Sequence, residues 1–151
     1  MKRMFFTLLF FNIIISCNHK LNSKVENAVN IIAKETCIDS DSFWIREDDT
    51  YKNFLKVSTI EDLVYLTDNE NPYVKYYAYL GLVDKKYSKI KEIYFKHKND
   101  IESVCTTNGA CLRGYTDINI LMLWELNPKD VECKYCFTKD EYDKEYDKIT
   151  K

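Results

Sequence analysis

The chain predicts an all-α domain, a compact bundle of antiparallel helix pairs. Three observations carry that prediction. Gly and Pro number only 3 and 2 among 151 residues, which leaves too few turn formers for a sandwich of short strands. Lys, Glu, Leu, Ile and Tyr are abundant and breakers are rare, a composition that favours helices. Apolar residues recur at helical spacing over most of the chain.

The elements follow in order. From Lys24 to Glu35, Val25, Ala28, Val29, Ile31 and Ile32 define an amphipathic first helix. Asp39 to Ser42 is a turn or cap cluster ahead of Phe43-Trp44-Ile45, an apolar knot expected to anchor the N-terminal segment on the core. Glu47 to Asn53 reads as an acidic loop. Ser58 with Glu61 predicts a capping box, with Ile60, Leu63, Val64 and Leu66 on one apolar face. Asn71 can cap the next helix with Pro72 in its first turn, where the missing N–H costs nothing. Val74, Ala78 and Leu82 then make its buried stripe. Another helix is expected from about Ser88 to His97, and Asp100 is expected to cap a short helical segment carrying Ile101, Val104 and Cys105. Asn108-Gly109 is a turn signal. Thr116 or Asp117 should start a helix with Ile118, Leu121, Met122 and Trp124 inward, stopped by Asn127-Pro128. Thr138 with Glu141 is a second capping box, and Tyr142, Tyr146 and Ile149 line the last helix.

The N-terminus has a different character. Lys2-Arg3 is a basic head, Phe5 to Ile15 an apolar run, and Ser16 a small residue before Cys17. That is the layout of an export signal. The run is shorter than the roughly 20 apolar residues that cross a bilayer. Ile14, Ser16 and Cys17 resemble the lipobox of bacterial lipoproteins, and the resemblance implies that residues 1–16 are a signal peptide and that Cys17 is acylated, tying the protein to a membrane. Residues 17–23 then form a lipidated tether and 24–151 the domain, in the cell envelope and facing outward from the cytoplasm. Cleavage leaves 135 residues with 20 basic against 24 acidic side chains, a net charge of about −4. An acidic, interspersed surface of this kind argues against nucleic acid as a partner.

Beyond Cys17 there are five cysteines. Outside the cytoplasm they tend to pair. Cys105 and Cys111 flank the Asn108-Gly109 turn, and Cys133 and Cys136 have CxxC spacing; a disulfide framework among these four, a zinc site built from both pairs, or free thiols are the competing readings. A thioredoxin-like redox pair lacks its βαβ context. Cys37 reads as a buried apolar filler.

Glu61 to Leu82 resembles a HEAT-type repeat: an amphipathic helix, a short polar turn, Asn71-Pro72, then Val74-Lys75 and Ala78. The longer run with Leu63-Val64-Tyr65-Leu66-Thr67, Asp100, Val104 and Cys105 resembles a group of uncharacterised bacterial HEAT-like lipoproteins. The resemblance implies a short α-solenoid and no agreed catalytic residues. Lys75 stands where Arg is more usual and Gly81 where Ala is.

No catalytic motif or phosphate-cradling loop occurs. His19 lies in the tether and His97 beside Lys96 and Lys98, which reads as a surface residue. No metal or cofactor is expected. Helical geometry turns Tyr76 and Tyr79 away from the buried stripe, with Lys75 nearby, so these three are the proposed partner-binding residues; the competing reading packs the tyrosines under a neighbouring helix or the 43–45 knot. The functional expectation is a membrane-anchored, non-enzymatic binding or scaffolding module with an envelope protein as partner. The alternatives are an immunity-type protein that occupies a toxin, and a small envelope hydrolase or ligand-binding protein.

Overall fold

The computed structural model describes residues 19–108, 112–129 and 134–149. Among these, the chain forms α1 (Ser23–Ile32), β1 (Ile38–Asp39), α2 (Ser42–Glu47), α3 (Asp49–Val57), α4 (Ile60–Leu66), α5 (Pro72–Asp84), α6 (Ile90–His97), β2 (Ser103–Asn108), β3 (Leu112–Asp117), α7 (Ile118–Trp124) and α8 (Lys139–Ile149). The proposed signal peptide, Cys17, Cys111 and Cys133 lie outside the described residues. No helix among the described residues is long and apolar enough to cross a membrane.

The all-α expectation, with its bundle of HEAT-like helix pairs, is overturned: the fold is mixed, with a three-stranded sheet in the order β1-β2-β3. β1 runs parallel to β2, pairing Ile38 with Thr106, and β2 runs antiparallel to β3 from Ser103–Asp117 to Asn108–Leu112. The segment from Val104, read as helical, is a strand because Val104, Thr106 and Thr107 are β-branched and pack on a pleated surface. Asn108 is the last residue of β2, and Gly109 lies outside the described residues. Asp100 caps nothing there. Its carboxylate accepts from Lys75 Nζ at 2.7 Å and lies 2.9 Å from His97 Nδ1.

α5 is the axis of the domain. Its cap was legible: the Asn71 side chain accepts from the backbone N–H of Tyr73 and Val74, and Pro72 opens the helix. Its faces were not. Every residue from Val74 to Val83 is buried, because α4, α7, α6, α1 and β2 all pack on it. A helix that is covered all round shows no solvent stripe. Gly81 permits the closest approach: a Cβ there would sit 3.1 Å from a Leu63 methyl and 3.3 Å from one of Leu55. A methyl at this position would press on both leucine side chains, which would have to give by a few tenths of an ångström.

Other boundaries moved. Glu47 to Asn53 is helical rather than loop, with Asp48 capping α3 through Thr50 and Tyr51. The capping box of α4 is Thr59 with Asp62, one residue beyond the pair read from the sequence. The box at Thr138 and Glu141 is formed as expected. Residues 17 and 18 of the expected tether lie outside the described residues, and from residue 19 the chain is packed: His19 Nε2 lies 2.7 Å from Asp62 Oδ1, its ring 5.0 Å from that of Tyr65, and Leu21 packs against the core.

Cys37 is not a filler. It is bonded to Cys105, joining the entry of β1 to the middle of β2 across 68 residues of sequence. Cys136 is also disulfide-bonded. With Cys105 oxidised onto Cys37, the zinc reading loses a ligand, and no His, Cys, Asp and Glu group among the described residues is placed to hold a metal.

Candidate functional site

Two groups of sequence-predicted residues occupy different places. Tyr76 and Tyr79, expected on an exposed face, are 1% and 0% exposed. They cannot meet a partner in the folded protein, since α7 and α6 cover the side of α5 that faces away from α4. Lys75 is buried too, and its ammonium bridges Asp100 at 2.7 Å and Glu102 at 3.2 Å. Burial works against that charge, but the two carboxylates outweigh it and raise the lysine's pKa above its ordinary value. His97, read as a surface residue, is buried beside the same cluster. Tyr73, one turn before Tyr76, ties α5 to the sheet: it donates to the Thr36 carbonyl beside Cys37, and the backbone N–H of Cys105 reaches Tyr73 Oη at 3.4 Å.

The site that the structure does present lies elsewhere, where the N-terminal end of α2 faces the end of α7 and one side of α8. It is an open cleft of about 770 Å³, within the range of small-molecule sites. Asp41, Phe43 and Arg46 form one wall. Trp124 and Glu125 close the floor, and Tyr142, Asp143 and Tyr146 form the far wall. The aromatic members were expected inward. Instead Phe43 is 54%, Trp124 37% and Tyr146 41% exposed, because α2 is too short to bury more than Ile45 and α7 turns its opposite face to the core. Tyr142 and Tyr146 stack one turn apart, 6.0 Å between centroids and 21° from parallel.

Beneath the cleft runs a polar network that sequence reasoning missed. Arg46 Nε donates to Asp84 Oδ1 at 2.8 Å, one terminal nitrogen to Ser42 Oγ at 2.5 Å and the other to Glu125 Oε2 at 2.9 Å. The second oxygen of Asp84 accepts from Tyr51 at 2.5 Å, and that of Glu125 from Tyr76 at 2.9 Å. One guanidinium thus holds two carboxylates, each braced by a buried phenol. Burial opposes the charge on Arg46, but Glu125 and Asp84 raise its pKa well above the ordinary guanidinium value. Burial, and then the charge of Asp84, pushes the Tyr51 hydroxyl up strongly, and burial with Glu125 does the same to Tyr76. The available signal was Arg46 itself, one of three arginines in the chain, set directly after the apolar Phe43-Trp44-Ile45.

The buried tyrosines have a measurable consequence. Tyr94 is held up to about 12 by burial, then by the charges of Glu145 and Tyr142, and its hydroxyl has no hydrogen-bond partner. An unfolded tyrosine ionises near 10, so the unfolded chain releases its proton first as pH rises. The stability from this group is complete below pH 10 and drains between 10 and 12. Urea midpoints should fall over that window, and Tyr94→Phe should flatten the fall while changing stability at pH 7 by less than about 1 kcal/mol. An unchanged alkaline slope in the variant would count against the assignment.

In comparisons with known proteins, no family model, no curated protein and no solved structure matches this chain, so the site stands on its own geometry.

Proposed function

We propose that the protein is a lipid-anchored, non-enzymatic binding protein of the bacterial envelope that holds its ligand in the cleft between α2, α7 and α8. The observation that carries this reading is the set of aromatic rings left open to solvent around a concave, charged floor. Exposed Trp and Tyr of this kind give large contact area at low entropic cost. The carboxylates of the floor favour binding over catalysis, because every oxygen of Asp84 and Glu125 already accepts a hydrogen bond, whereas a general acid or base must reach a substrate proton. The lipid anchor rests on the Ile14-Ile15-Ser16-Cys17 segment and its basic and apolar lead.

The test is crosslinking and affinity capture of the tagged full-length chain from membranes, in parallel with Cys17→Ala, Trp124→Ala and Tyr146→Ala forms. A ligand or partner recovered with the wild type and reduced about tenfold in the two aromatic variants supports the cleft as binding face. Equal recovery from all forms, or none, overturns it. Loss of membrane association in Cys17→Ala, with normal folding by circular dichroism, tests the anchor separately.

A further inference from the structure

The charges of the cleft sort among ligand classes. An anion would need Arg46, but each of its three nitrogens already donates, to Asp84, Ser42 and Glu125. By the same count Glu125 is engaged, its two oxygens accepting from Arg46 and Tyr76, so the acids left to a ligand are those of the two walls. Asp41, Glu125 and Asp143 line the cleft against Arg46 as its one basic side chain among the described lining residues. Asp143 is paired with Lys139 on the solvent side, which weakens its share without reversing the sign. Around this negative floor stand Phe43, Trp124, Tyr142 and Tyr146. Ring faces attract a cation through their quadrupole, and a carboxylate adds a direct charge.

Resting on the binding reading above, we infer that the cleft accepts an organic ammonium group, seated on the aromatic rings and neutralised by the surrounding carboxylates. The ammonium is either that of a small quaternary amine or the head of a lysine side chain. Both present a cation of limited size that ring faces and a carboxylate can meet together.

The test uses the full-length chain in detergent micelles carrying Trp44→Phe, so that Trp124 is the sole tryptophan and reports from the cleft. Its emission is titrated with choline, with acetyl-lysine amide and with 3,3-dimethylbutan-1-ol, the uncharged shape-mimic of choline. At least one of the two cations should bind about fivefold or more tightly than the neutral alcohol. The Asp41→Asn/Asp143→Asn form should narrow that ratio to below about twofold, with folding intact because Asn caps α2 as Asp does. Preference for choline identifies a quaternary ammonium and preference for the amide a lysine head, and either supports the inference. Equal binding of choline, amide and alcohol overturns it while leaving a cleft that binds apolar groups. Silence of Trp124 to all three overturns it as well, and the capture experiment then decides independently whether the cleft binds anything.

Discussion

Replacing Cys37 and Cys105 together by Ser should destabilise the protein by about 4 kcal/mol, the loop-closure value for a bridge spanning 68 residues. That is a large part of the roughly 5–15 kcal/mol that holds a domain of this kind together. The effect has a structural reason as well as an entropic one. β1 is only two residues long, Ile38–Asp39, and a two-residue strand contributes too little pairing to place itself. Its register on β2 is set beside the bridge, with Ile38 opposite Thr106 and Ser40 donating to the Thr107 carbonyl. Without the bridge, the segment from Lys34 to Asp41 should exchange its amide hydrogens at rates set by local opening, while α5 keeps its protection. Urea unfolding of the oxidised wild type and the double variant measures the first quantity, and hydrogen exchange the second. A loss under about 1 kcal/mol, with β1 still protected, would show that pairing alone positions the strand.

Arg46→Met should cost about 3 kcal/mol at pH 7. The substitution leaves Asp84 and Glu125 facing each other without a counter-charge, and Glu125 is only 5% exposed. Breaking a buried pair from one side is more damaging than removing it whole; the partial exposure of Arg46 and Asp84, 27% and 21% at the side chain, places the value at the low end. Arg46→Lys should recover about half, since one ammonium lacks the planar fork that spans both carboxylates. Arg46→Met/Glu125→Met should be more stable than the single variant, the two changes being coupled through direct contact. Chemical denaturation at pH 7 separates these outcomes, and additive single-variant losses would show that Arg46 and Glu125 act independently.

What could be read from the chain was local. The Asn71-Pro72 start of α5, the box at Thr138 and the start of α7 at Asp117 each depend on a few neighbouring residues, and the structure places them accordingly. What could not be read was set by distant contacts. β1 exists because of Thr106, which lies 68 positions along from Ile38. Cysteine spacing does not dictate connectivity, so Cys37 looked like a filler. The helical wheel of α5 left Tyr76 and Tyr79 on an apparent outer face, but a wheel does not say how many neighbours a helix has. The cleft failed to show for the same reason. Phe43, Trp124 and Tyr146 each read as a core residue in its own segment, and only their assembly from three separated helices shows that each keeps part of its ring exposed.

His19, fastened to Asp62 beside the Tyr65 ring, bears on how the domain would ride on a bilayer. Two peptide units separate Cys17 from His19, a reach of about 7 Å at full extension. An acyl chain on Cys17 would therefore hold the face built by His19, Asp62 and Tyr65 close to the lipid, and lengthening the 18–22 segment with flexible residues would let that face stand off from it.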